Sequence, residues 1–189
     1  MHLPTPQFSR LVTALAFDLN NPLLDSMILA WDHIATRFLN RLANHREAAG
    51  KVESIRLLAI HDGIHAVLGS GNGYMFHGLS SGSSTSAALA ATAQASHDVL
   101  AAVFDLPEDR EDLAHLLEES LSLISDPAEA VAGVITGAAS AGTYEREFAP
   151  LTLEDLVRDA AKAGRIPRRP LRVVALAEKH DHDGWRRSA

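Results

Sequence analysis

The chain has 189 residues, 47% of them apolar and 22% charged, with a formal charge of −7 and no cysteine. That length suits one domain with a substantial core. The acidic balance argues against a nucleic-acid binder, which needs a concentrated basic face, and the missing cysteines exclude disulfides, thiolate nucleophiles and cysteine zinc sites.

Aromatic residues make up only 5% of the chain, while alanine and leucine abound. Small and aliphatic side chains favour helices packed closely on helices. Residues 1–24 read as an N-terminal extension, with neither the charged start nor the long apolar stretch of a signal peptide. No apolar run approaches the ~20 residues of a membrane span. The cytoplasm is therefore the expected location.

Met27, Ile28, Trp31, Ala35, Phe38 and Leu42 recur at three- and four-residue steps. They predict an amphipathic first helix with one buried stripe, and Asp25 is its expected N-cap. A polar connection over 44–50 leads to a second helix, roughly 52–68. The run Gly69-Ser-Gly-Asn-Gly73 cannot hold a helix, and it lacks the strand and lysine of a phosphate-cradling loop, so it reads as a turn.

A loop over 74–84 has a serine- and glycine-rich, flexible end. It precedes an alanine-rich third helix, 86–104. Asp105 and Glu108 have capping-box spacing for a fourth helix carrying Leu113, Leu116, Leu117, Leu121 and Ile124. Asp126-Pro127-Ala128-Glu129 is a stronger start, with a capping aspartate and proline in the first helical position. The fifth helix runs to about Phe148, and its Gly133-Val-Ile-Thr-Gly137 predicts close contact with a neighbour. Thr152 to Ala163 has the pattern of a shorter sixth helix. The fold class is all-α, a five- or six-helix bundle over 25–164 with short turns and antiparallel neighbours. Residues 165–189 form a basic, proline-containing, irregular tail, in which Leu171–Leu176 reads as either a strand or a helical turn.

From about Leu29 to Arg146 the order of elements resembles the N-terminal helical region of vanadium-dependent haloperoxidases and their relatives, the type-2 phosphatidic acid phosphatases. The likeness is carried by Ala30-Trp31-Asp32, the arginine-led helix from Arg56 through His61, and Ala95-Ser96-His97-Asp98-Val99-Leu100. It continues through the leucines of the fourth helix and the small-residue helix with Gly137. It departs where such proteins place Tyr-Asp on the second helix, since this chain has His65-Ala66.

The resemblance implies a site for vanadate or phosphate, built by a Lys-x6-Arg-Pro segment, a Ser-Gly-His segment and a later arginine with histidine. Lys162 and Arg169-Pro170 match the first segment by spacing and are the candidate catalytic residues. The sequence contains no Ser-Gly-His and no Arg-x4-His after Pro170. The expectation is a non-catalytic or truncated scaffold that works through helix association, as a homo-oligomer or with a separate catalytic chain. No cofactor is expected for this chain alone, although vanadate is implied wherever a complete site forms.

The alternative is an enzyme: a reduced haloperoxidase-like or phosphatase-like protein using Lys162 and Arg169, or a metal-dependent hydrolase using His61 and His65. These two histidines stand four apart, on one helical face, as in metal-chelating helices. Against that, Asp62 is shorter than the glutamate base of such motifs and Gly63 weakens the helix. The plainer reading makes His61 a hydrogen-bonded core residue and His65 a partly exposed one. His97-Asp98 within a helix is expected to point apart.

Overall fold

The computed structural model describes residues 21–69 and 73–148. Among these residues five helices pack around one core: α1 (Pro22–Leu39), α2 (Arg46–Leu68), α3 (Thr85–Val103), α4 (Pro107–Ser122) and α5 (Pro127–Phe148). A short 3-10 turn, Asn40–Leu42, follows α1. There is no strand among the described residues. The expected sixth helix and the tail lie outside them.

The apolar stripe of α1 is buried as its spacing requires, with Trp31 and Leu24 fully enclosed. Its start differs from expectation. Asn21 is the N-cap, accepting from the amides of Leu23 and Leu24, and Pro22 occupies the first turn. Asparagine before proline outcompetes Asp25 because proline suits the first helical position and lacks an amide needing a partner. Asp25 sits inside the first turn instead, where a carboxylate favours the helix dipole. The helix thus begins before residue 25.

α2 also starts earlier, at Arg46, so most of the expected 44–50 connection is helical. Gly50 is tolerated within it, and Ala48 and Val52 already face the core. The helix closes on Gly69, which adopts the left-handed conformation at φ 61°. Glycine does so without the steric cost of a side chain. At α4, Asp105 does not cap. Leu106 stands at the cap without a side-chain bond and Pro107 starts the helix. At α5 the reading holds, because Asp126 accepts from the amides of Ala128 and Glu129.

α3 is the central element and contacts α1, α2, α4 and α5. Consecutive helices alternate in direction, as expected. The closest approach, however, joins α3 and α5, which are not consecutive and therefore run parallel. Ala87, Ala88, Ala90, Ala91, Ala93 and Ala95 are all fully buried. A methyl built on Gly133 would lie 2.1 Å from the Ala87 carbonyl oxygen, and one on Gly137 would lie 2.5 Å from that of Ala91. The small residues are thus set by backbone-to-backbone proximity. α4 is clasped to the 3-10 turn by Arg41–Asp109 and to α1 by Arg37–Asp112 at 2.9 Å, with Arg41 lying over the rings of Phe38 and Phe104.

Candidate functional site: two buried ionic centres on the second helix

α2 carries two ionised groups into the interior. The first is Arg56, fully buried. Its guanidinium donates to both carboxylate oxygens of Glu53 at 2.9 and 2.7 Å, to Asp32 on α1, and to the Ser96 hydroxyl on α3 at 3.2 Å. Burial opposes its charge, but the bonds and fields of Glu53 and Asp32 more than offset that and raise its pKa. Both carboxylates keep part of their surface exposed, so water shares in solvating the cluster. A buried cation is tolerable only with such pairing.

The second is Asp62, whose carboxylate is fully buried and accepts five hydrogen bonds. The amides of Tyr74, Met75 and Phe76 donate at 2.8, 2.9 and 2.9 Å. The Tyr144 hydroxyl donates at 2.7 Å from α5. His61 Nδ1 stands 2.9 Å away. Three consecutive amides converging on one anion form a backbone nest, here filled by the protein's own carboxylate. The neighbouring Gly73 is required, because a methyl there would lie 2.2 Å from the Phe76 carbonyl oxygen.

Burial alone would push the Asp62 carboxyl up. The bonds from His61, Met75, Phe76 and Tyr144 win, and lower it from 3.8 to about 2. The Tyr144 hydroxyl is correspondingly pushed up by burial and by Asp62. A carboxyl depressed in the folded state contributes stability above its unfolded pKa and loses it as pH falls through the folded one. Between pH 4 and pH 2 the protein should therefore lose on the order of 2 kcal/mol through this group. Urea unfolding at pH 5 and pH 2.5 measures it, and Asp62→Asn should show a smaller acid loss than the parent.

His61 and His65 lie side by side, with ring centroids 4.2 Å apart, and Tyr74 lies 4.9 Å from His61 on its other side. His61 is buried and hydrogen-bonded, while His65 is partly exposed. Burial and then the neighbouring His61 lower the His65 pKa. Among the described residues no group of three or more His, Cys, Asp or Glu side chains is placed to hold a metal. Lys162 and Arg169 lie outside the described residues. His97 does not point away from its neighbour: Nδ1 reaches Asp98 at 2.7 Å, and Asp98 also accepts from Gln94. A short carboxylate can swing sideways along the helix surface to the preceding ring.

The loop 73–84 is pinned rather than flexible. Beyond the Asp62 nest, the Ser80 amide donates to the Ala66 carbonyl and the Thr136 hydroxyl to Ser80. Glu129 accepts from the amides of Ser83 and Ser84. Sequence reasoning missed Asp62 as an anchor and Tyr144 altogether. The available signal was a carboxylate within 57–68, where the helix otherwise holds only apolar residues, glycine and two histidines. An open groove of about 450 Å³ lies beside the 3-10 turn, lined by Thr36, Asn40, Arg46 and by Glu53, the partner of Arg56, among others. It contains none of the residues nominated from sequence.

No family model, curated protein or solved structure matches the chain. Among the described residues, no helix is long and apolar enough to cross a membrane.

Proposed function

We propose that this chain is a non-catalytic scaffold of the vanadium haloperoxidase and type-2 phosphatidic acid phosphatase kind, acting through association of its helices with a second copy. The observation that carries this reading is the commitment of both buried ionic centres to the frame. Arg56, the buried cation that an oxyanion site would want, is spent on Glu53, Asp32 and Ser96. Asp62 has every strong acceptor position occupied by donors from α2, α5 and the loop. Groups so satisfied hold helices in place and have no free capacity to bind or activate a substrate.

Further support lies in which segments meet. Asp32, Arg56 and Ser96 come from three of the five segments in which the sequence resembles that family, and they join in one cluster around the buried Arg56. Part of the likeness thus falls on residues that fasten helices together. Light scattering on the full chain tests the reading. A mass at least twice the 20.3 kDa of one chain is expected at micromolar concentration. A single-chain mass throughout that range sinks the association, and vanadate-dependent bromide oxidation sinks the non-catalytic half.

A further inference from the structure

α2 carries His61 and His65 one helical turn apart, with their ring centroids 4.2 Å from each other. His61 Nδ1 meets the Asp62 carboxylate at 2.9 Å. That carboxylate is ionised, with its pKa lowered to about 2, so His61 donates Nδ1–H to it and keeps a lone pair on Nε2. Asp62 is itself no ligand, because three loop amides and the Tyr144 hydroxyl fill its other acceptor positions. A carboxylate placed behind a histidine fixes the tautomer and raises the basicity of the far nitrogen. Metal-ligating imidazoles are ordinarily supported in this way.

We propose that His61 and His65 together bind one divalent transition-metal ion of the zinc, copper or nickel kind, each through a ring nitrogen, with water completing the coordination. Residues four apart share a helix face, the spacing at which paired histidines chelate. Neutral imidazole selects these ions over magnesium and calcium, which prefer oxygen.

The geometry needs only a small adjustment. An ion about 2.0–2.1 Å from each nitrogen, with a tetrahedral angle between them, sets the ring centroids about 5 Å apart. The rings must therefore part by about 1 Å. His61 is held between His65 and Tyr74, so the partly exposed His65 is the one that moves. Ligation by one nitrogen leaves the other for a hydrogen bond.

The electrostatics agree. Burial and the neighbouring His61 lower the His65 pKa, which keeps the ring in its neutral, ligating form near pH 7. The ionised Asp62 sets a negative charge beside the incoming cation. An ion on Nε2 in turn makes the Nδ1–H a stronger donor to Asp62, so binding tightens the loop that Asp62 holds. Two protein ligands, rather than the three or four of permanent zinc sites, imply micromolar and reversible binding.

Calorimetry with zinc chloride, on the untagged full chain stripped by a chelator, tests the site. One ion per chain is expected at micromolar affinity, at least tenfold weaker in His65→Ala. Zinc at a hundredfold excess over its dissociation constant should raise the melting temperature by roughly 5–10 °C, and magnesium should leave it unchanged. A readout on the unaltered chain needs no variant to fold. Paramagnetic cobalt(II) should broaden the ring resonances of His61 and His65 before those of any other of the ten histidines. Three results would each overturn the proposal: no zinc binding at millimolar concentration, unchanged affinity in His65→Ala, or broadening that begins at other histidines.

Discussion

Replacing Gly133 with alanine should lower the stability of this protein by about 3 kcal/mol, equivalent to a melting temperature lower by roughly 10 °C. The added methyl would lie 2.1 Å from the carbonyl oxygen of Ala87 and 2.8 Å from the Ala90 methyl. Neither neighbour is a flexible side chain that can swing away, so α3 and α5 must separate. Separation would loosen the fully buried alanines along the whole seam. Gly63→Ala is the internal comparison. Its methyl would meet Ala91, Gly137 and Ser140 at 3.7 to 3.9 Å, ordinary contact distances. There the better helix propensity of alanine should add ~0.5–1 kcal/mol. Thermal unfolding of both variants decides the matter. Equal losses at the two glycines would refute the account of the seam.

The second large effect is expected at Asp62. Asp62→Ala leaves three backbone amides, the Tyr144 hydroxyl and His61 without their shared acceptor. Removing one partner from a buried, charge-assisted network costs about 3–5 kcal/mol. The loss should have a location as well as a size. Amide hydrogen exchange should accelerate first at Tyr74, Met75 and Phe76, and then at Ser80, whose own bond to Ala66 depends on the loop lying flat. Asp62→Asn should fall between, because its amide oxygen still accepts while its nitrogen faces donors. Unchanged exchange across 74–76 in the alanine variant would show that the loop is held by other means.

These two sites also mark what a sequence can and cannot reveal. Gly133 and Gly137 were legible, because a four-residue repeat of glycine in a helical stretch rich in Ala, Val and Ile has few uses besides close approach. The stripe of α1 and the capping aspartate of α5 were legible for the same reason: their signals are local and repeat at the helical period. The start of α2 was not. Its first turns are polar and partly exposed, so their composition matches a connection as well as a helix. Nor were the partners of Asp62 legible, since the loop amides lie 12 to 14 positions away and Tyr144 lies 82 positions away. A carboxylate beside two histidines suggests metal chemistry on spacing alone. Only the folded arrangement shows Asp62 turned toward a loop and Tyr144, with His61 hydrogen-bonded beside it.

The alternation of helix directions has an electrical consequence. α1, α3 and α5 begin at one end of the molecule, where Asn21 donates to Thr85 and Glu129 accepts from the amides of Ser83 and Ser84. Each helix start carries a partial positive pole, so three like poles stand together against the two opposite poles of α2 and α4. Asp25, Asp126 and Glu129 lie in or beside those first turns and act as fixed counterions. At that end the carboxylates stand among the three positive poles and more than offset them, which eases a border that parallel dipoles alone would push apart.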